Sequence, residues 1–317
     1  MRYKPLGKTG LSVSEVAIGT WGVGGRGWGG ADKASSISAM RTMMDLGVNL
    51  IDTAPIYGNG SAEEVTAETV KGRRDKLIIS TKCGIKLDAP AGTNNKVATR
   101  QEVFSGCEDS LRRLGTDYID VLFVHWPDVN TPIEETMDAM NILKKQGKIR
   151  HIGLSNFSIQ ETEEAAKYAE IAVIQPPFSM VEQKAHDIIL WCHKKGISSM
   201  TYASLGAGIL GGGIRSLTTF GEGDVRNGFY DYFQEPKFSR VMQLLSVMDK
   251  IAEARKVPLS QIAINWVTQK DFVLTALVGV RTDKHARENC GAADWQLNAE
   301  ELALLDGEVS RLFGEGK

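Results

Sequence analysis

The sequence predicts an α/β chain folded as a (β/α)8 TIM barrel, with an N-terminal β-hairpin plug, a long loop after strand 7 and extra helices near the C-terminus. Three observations carry this expectation. Eight short apolar runs alternate with amphipathic stretches along almost the whole chain, so the pattern keeps switching between buried strand and helix. Parallel strands joined by helical crossovers, repeated eight times, close most naturally into a barrel. The 317 residues suffice for such a barrel with insertions, and no shift of composition marks a boundary, so one domain over 1–317 is expected.

Before the first barrel strand, YKPLGKTGLSVS has room for a hairpin turning at Gly7-Lys8-Thr9-Gly10, placed to plug the N-terminal end of the barrel. Strands are read at VAIGTW (16–21), NLIDTA (49–54), LIISTKCG (77–84), YIDVLFVHW (118–126), HIGLSN (151–156), IAVIQPPF (171–178), ISSMTYASL (197–205) and FVLTALVGV (272–280). Helices are expected between them near 33–46, 61–72, 99–114, 132–147, 158–169 and 182–195. Thr99 followed by Glu102 has the pattern of a capping box, and Pro132 behind Thr131 suits a first helical turn. Gly47, Gly115, Gly147 and Gly196 stand where a glycine ends a helix. Between strands seven and eight lie GAGILGGG (206–213), a stretch to residue 236, and helices over 237–256 and about 259–270. Loops this long are functional or disordered. Phe220, Phe229, Tyr230, Tyr232 and Phe233 argue against disorder, so residues 214–236 are read as a lid over a bound ligand.

The 37 basic and 39 acidic residues nearly cancel, which removes any argument for a nucleic-acid surface or a basic membrane-binding face. Cys83, Cys107, Cys192 and Cys290 are widely spaced, with no C-x-x-C pair and no zinc-type spacing; reduced thiols and no metal are expected. No apolar run approaches the ~18 residues of a membrane span, and MRYKPLGKTGLS lacks a signal-peptide core. A soluble, cytoplasmic protein is expected, of an oligomeric state that the sequence does not reveal.

A barrel of this kind gathers the carboxyl ends of its strands on one face. Those ends supply Asp52 and Tyr57 after strand two, Lys82 in strand three and His125 in strand four. Taken singly, Asp52 suits a turn and His125 a core position. Lys82 on an apolar strand is harder to dismiss, because an unpaired buried ammonium is costly. Together the four types make a coherent set: a tyrosine to protonate a carbonyl oxygen, an ammonium to lower its pKa, a carboxylate to anchor the ammonium and an imidazole to orient the oxygen.

LIDTAPIYG, the Lys of IISTKCG, YIDVLFVHWPD and IRHIGLSNF resemble, in order and spacing, the signature segments of the aldo-keto reductase superfamily. TDYIDVLFVHWPD, GDVRN and QEPKF are similar to the bacterial branch that includes an inositol-utilisation-associated reductase. The resemblance runs from the hairpin to about residue 312 and places the family's catalytic tetrad on Asp52, Tyr57, Lys82 and His125.

The run GVGGRG (22–27) matches G-x-G-x-x-G, yet Trp28-Gly29-Gly30 continues the loop where a Rossmann motif opens a helix, so it is read as a flexible first βα loop. The resemblance instead implies a nicotinamide dinucleotide across the barrel mouth. Ser155, Asn156 and Gln175 match the carboxamide contacts and Tyr202 the ring-stacking aromatic. Leu205, Gly206 and Gly208 match the pyrophosphate turn, with Asp224 to Asn227 folding over it. GVRTDKHARENCGA, from Gly279, matches the adenosine-phosphate segment: Arg281, Lys284, His285 and Arg287 to a 2′-phosphate, Glu288 and Asn289 to adenine. These cations favour NADP(H) over NAD(H). Ala203-Ser204 stands where many relatives have Ser-Pro, Phe178 where many have Tyr, and His285 replaces a more usual Arg or Gln, which loosens the NADP preference. Trp21, Trp126 and Tyr230, with Trp28 and Phe229 beside them, are read as the substrate wall.

The expected function is NADPH-dependent reduction of an aldehyde, ketone or sugar, with Tyr57 as proton donor. The alternatives are a nicotinamide-binding sensor or regulatory subunit, as in the channel-associated members, and a sugar or alcohol dehydrogenase working oxidatively. A glycoside hydrolase would need two carboxylates facing a sugar bond, and Asp52 lacks an obvious strand-end carboxylate partner apart from Asp128, beyond strand four.

Overall fold

The structure, a computed structural model, describes residues 1–25, 27–30, 32–87 and 95–314. Its first two strands, β1 (Tyr3–Pro5) and β2 (Ser12–Ser14), pair antiparallel with Tyr3 opposite Ser14. Eight further strands close a parallel barrel: β3 (Val16–Gly19), β4 (Leu50–Asp52), β5 (Ile78–Cys83), β6 (Ile119–Val124), β7 (Ile149–Ser155), β8 (Ile171–Gln175), β9 (Ser198–Thr201) and β10 (Thr275–Gly279). Each pairs with its neighbour in the chain, and β10 returns to β3 with Ala276 opposite Val16. β5 and β6 are buried at every position, as expected of strands covered by helices outside and packed on one another inside.

The hairpin plugs the barrel floor as expected. Leu6 and Val13, both fully buried, pack with Leu50, Ile78 and Leu274 near the strand starts, and with Val121, Phe123, Val173 and Met200 of the interior. Closing that end with apolar side chains leaves the opposite end for chemistry.

The helices are α1 (Lys33–Asp45), α2 (Ser61–Val70), α3 (Arg100–Leu114), α4 (Ile133–Lys145), α5 (Ile159–Ala165), α6 (His186–Lys194), α7 (Lys237–Arg255), α8 (Leu259–Thr268), α9 (Asp283–Gly291) and α10 (Ala299–Phe313). Their apolar faces form the second core, between sheet and helices. Gly47, Gly115, Gly147 and Gly196 all take the left-handed conformation expected after a helix.

Several local expectations need correction. Strands stop short of the apolar runs: VAIGTW yields only Val16–Gly19, and FVLTALVGV only Thr275–Gly279, because Trp21 begins a 3-10 turn and Val273 is buried outside the strand. Thr99 accepts from the Glu102 backbone at 3.4 Å, but the reciprocal half of the box is not formed. Pro132 is the cap of α4 rather than its first residue. α6 starts at His186 because Ser179 and Glu182 pair with each other in a turn. Full capping boxes occur instead at Ser158/Glu161 and Asn298/Glu301, the second opening α10, one of the extra helices expected near the C-terminus, though its bounds were not read from the sequence.

The segment after β9 folds back as short 3-10 turns, at Gly206–Gly211, Val225–Asn227 and Asp231–Phe233. Its aromatics pack among themselves, with Tyr230 stacked on Tyr232 at 5.2 Å and Phe220 edge-on to Phe233 at 5.2 Å. The Val225 amide donates to Gly27 O at 3.0 Å, tying this segment to the loop after β3.

Candidate active site

Four side chains meet at the carboxyl end of the barrel. Asp52 closes β4, Lys82 is next to last in β5, His125 follows β6 directly, and Tyr57 stands on the loop from β4 to α2. Lys82 Nζ donates to Asp52 Oδ2 at 2.7 Å and to Thr53 O at 2.9 Å, with both side chains almost fully buried. The other Asp52 oxygen accepts from Ser80 Oγ at 2.7 Å and from Gln175 Nε2 at 2.8 Å. A buried carboxylate needs its acceptors occupied, and here two strands, β5 and β8, supply the donors.

The Lys82 ammonium lies 4.8 Å from the Tyr57 ring centroid, and the Tyr57 and His125 rings meet edge to face at 6.1 Å. The loop bearing Tyr57 is held by contact too close for any side chain: a Cβ on Gly58 would lie 2.3 Å from Gly24 O, and one on Gly24 2.6 Å from the Tyr57 carbonyl carbon.

Burial and the Asp52 charge hold the Tyr57 hydroxyl well above the usual phenol range. This corrects the expectation that Lys82 would lower it. The ammonium is already neutralised by Asp52 at 2.7 Å, so the phenol meets a dry site beside a balanced pair. Burial, only partly offset by Asp52, pulls Lys82 below its usual value. Burial and the Lys82 charge hold His125 well below the imidazole range, so it is neutral at physiological pH.

A cavity of about 700 Å³ opens above these groups. Ser155, Asn156, Gln175 and Tyr202 line it. They are bonded into one array: Ser155 Oγ donates to Gln175 O at 2.9 Å, Asn156 Nδ2 to His125 O at 3.0 Å, and Tyr202 Oη to Asn156 Oδ1 at 2.9 Å. Leu205, Gly208, Gly279, Arg281, His285, Glu288 and Asn289 continue the wall. A Cβ on Gly208, at φ +95°, would meet nothing within 4 Å, so the turn leaves room for a ligand against its backbone. A cavity of this size lined by amides, hydroxyls and a guanidinium has the groups to hold a nicotinamide dinucleotide.

Some expected residues stand elsewhere. Gly206 is off the wall, under the turn, where a Cβ would come 2.9 Å from Val181 Cγ2. Lys284 and Arg287 are exposed on α9 and off the wall, with Lys284 3.7 Å from Glu288. Arg281 Nη2 donates to Trp28 O at 2.5 Å, and Arg226 lies 2.6 Å from Asp224 and 3.9 Å from the Phe220 ring centroid. Trp21, Trp126 and Tyr230 do line the cavity, along with Trp28 and Phe229. Trp21 stacks on Tyr57 at 6.0 Å and meets Trp28 edge-on at 5.2 Å. Sequence reasoning missed Ile56, Ile85, Pro258 and Ser260 on the wall, and the Gln175–Asp52 bond. An amide closing an apolar strand was the available signal for the last.

Residues 15–309 match the aldo/keto reductase family, and the chain belongs to it. It is therefore an NAD(P)-dependent oxidoreductase of the aldo-keto reductase type, acting between C=O and CH–OH. Aldo-keto reductase YhdN of Bacillus subtilis is 37% identical over 323 residues, covering 99% of this chain and 96% of that protein. An NADH-specific methylglyoxal reductase of Escherichia coli is 30% identical, covering 96% and 97%. A probable voltage-gated potassium channel subunit beta of Arabidopsis thaliana is 33% identical, covering 93% and 92%. Among solved structures, the glycerol dehydrogenase AKR11B4 of Gluconobacter oxydans superposes with a TM-score of 0.87 at 32% identity, over 97% of this chain and 95% of that one. Among the described residues, no helix is long and apolar enough to cross a membrane.

Proposed function

We propose that the protein is an NADPH-dependent carbonyl reductase that works in the cytoplasm on a small aldehyde, ketone or sugar. The observation that carries this reading is the convergence of Tyr57, the Lys82–Asp52 pair at 2.7 Å and His125 beside one cavity of about 700 Å³. When bound, the nicotinamide supplies the hydride. Everything else falls to the chain. Ser155, Asn156 and Gln175 would hold the carboxamide, Tyr202 would stack on the ring, and Leu205 with Gly208 would receive the pyrophosphate. Arg281 and His285 would take a 2′-phosphate, with Glu288 and Asn289 on adenine.

Tyr57, protonated at rest because its pKa is raised, gives its proton to the substrate oxygen. The phenolate so formed faces the Lys82 ammonium across 4.8 Å from the ring centroid, and Asp52 keeps that ammonium in place. Neutral His125 offers a hydrogen bond to the same oxygen without adding a charge that would compete for the proton. Trp21, Trp126 and Tyr230 exclude water from the reacting carbonyl.

The test is a fluorescence titration with NADPH and with NADH, then absorbance at 340 nm with a panel of aldehydes, ketones and sugars. Tight NADPH binding with turnover supports the reading. Binding without turnover favours a nicotinamide-dependent regulatory subunit, which the likeness to a channel beta subunit keeps in view. Faster oxidation of polyols than reduction of carbonyls would reverse the physiological direction, as the name of the glycerol dehydrogenase neighbour invites.

A further inference from the structure

We propose that Glu63 is a positioning residue for this reaction, clamping the first turn of α2 to β5 and α3 and so fixing the Tyr57 loop against the strand that carries Lys82. The inference rests on the reading of Tyr57 and Lys82 as proton donor and partner.

Glu63 is fully buried on the outer side of the barrel. One carboxylate oxygen accepts from Thr81 Oγ1 at 2.6 Å, the other from Arg113 Nε at 2.6 Å. Thr81 directly precedes Lys82 in β5, and successive strand residues point to opposite faces. Lys82 therefore enters the barrel, while Thr81 meets α2. At the other end of the link, α2 begins at Ser61, and the Ala62 amide donates to Tyr57 O at 3.2 Å. Tyr57, Ala62, Glu63, Thr81 and Lys82 thus form a short bonded path from proton donor to ammonium. Arg113 also presses on the loop, its Cδ 2.7 Å from where a Cβ on Gly60 would stand.

A buried carboxylate is an expensive way to join a helix to a sheet, because apolar side chains of similar volume usually stabilise as well. What two charge-assisted bonds add is direction, fixing the height and rotation of the turn where apolar contact would tolerate sliding. Reaction rates are sensitive to such placement. The carboxylate also acts on Lys82 through the sheet, favouring the ammonium as Asp52 does. The titratable and charged groups facing Lys82 are Asp52 from β4, Tyr57 from its loop, His125 after β6, and Glu63 from α2 with Arg113 of α3 behind it.

Two variants separate placement from charge. Thr81→Val removes one bond and keeps every charge; Glu63→Gln keeps an acceptor for Thr81 and removes the charge. Both are expected to lower kcat for carbonyl reduction on the order of tenfold or more, with carbonyl KM and NADPH affinity by fluorescence within about twofold. Only Glu63→Gln moves the alkaline limb of the pH profile to lower pH, since Lys82 loses a neighbouring negative charge. Glu63→Asp, with the charge kept on a shorter arm, restores that limb but not kcat. Wild-type kcat in folded Thr81→Val and Glu63→Gln overturns the proposal, as does a loss of kcat matched by an equal loss of NADPH binding. Should Glu63→Gln fail to fold, the kcat and affinity of Thr81→Val decide the matter. Tyr57→Phe measured alongside reports on the underlying reading: retained turnover there removes the proton donor itself, whatever Glu63 does.

Discussion

Asp52 receives Lys82 Nζ on one carboxylate oxygen at 2.7 Å, and Ser80 and Gln175 on the other at 2.7 and 2.8 Å. The site is therefore a junction of β4, β5 and β8 as well as a place for chemistry. Removing the carboxylate strands an ammonium that is 1% exposed. We expect Asp52→Ala to lower unfolding free energy by about 3–5 kcal/mol, and Ser80→Ala by only about 1 kcal/mol. Urea unfolding of the two variants checks the ranking; equal losses would mean that the ion pair is not what holds this end of the barrel.

Tyr57→Phe removes one oxygen and leaves the stacking on Trp21 and the edge contact with His125 available. Carbonyl reduction should fall by roughly 10²–10⁴-fold, the usual worth of a positioned proton donor. NADPH affinity, read by fluorescence, should stay nearly unchanged. Near wild-type turnover in this variant would require a different donor.

How much of this was readable from the chain depended on how local the cause was. The strand ends at Asp52, Lys82 and His125 were legible because apolar runs interrupted by single titratable residues are costly unless used. The hairpin turn and the helix-ending glycines were legible because each is decided within a few residues. What depended on three-dimensional neighbours was not. The Tyr57 phenol rises rather than falls because of its burial and the nearby Asp52 charge, which depend on how the fold places it. Gly206 leaves the cavity wall because the turn at Ala207 and Gly208 faces it instead. Lys284 and Arg287 read as phosphate ligands in a line of cations, yet they lie on the exposed face of α9 while Arg281 is tied to Trp28 O.

His125 gives a pH signature in stability. Its folded-state pKa is held well below the usual imidazole value, so below about pH 6.5 the unfolded chain binds a proton that the folded protein refuses. Stability from this group is present above that pH and is lost as pH falls, by up to about 1.4 kcal/mol per pH unit. Thermal midpoints measured from pH 7 to 5 should decline, and His125→Gln should flatten the decline. An unchanged slope in the variant would mean that His125 accepts its proton at an ordinary pH in the folded state.

Arg281 lines the cavity and donates to Trp28 O at 2.5 Å, with Asp224 and Arg226 close enough to act on its charge. A guanidinium held there can meet a dianionic 2′-phosphate but has no such group to meet in NADH. Arg281→Ala should therefore weaken NADPH by roughly tenfold to a hundredfold, the range for a hydrogen bond to a charged group. Losing the Trp28 contact loosens the loop after β3 for both nucleotides, so a small common loss in NADH affinity is also expected. Titrating wild type and variant with each nucleotide separates the two effects. A drop for NADPH well beyond that for NADH assigns the 2′-phosphate to Arg281. An equal drop for both assigns the residue to loop closure alone, and the NADP preference would then have to come from His285 or be absent.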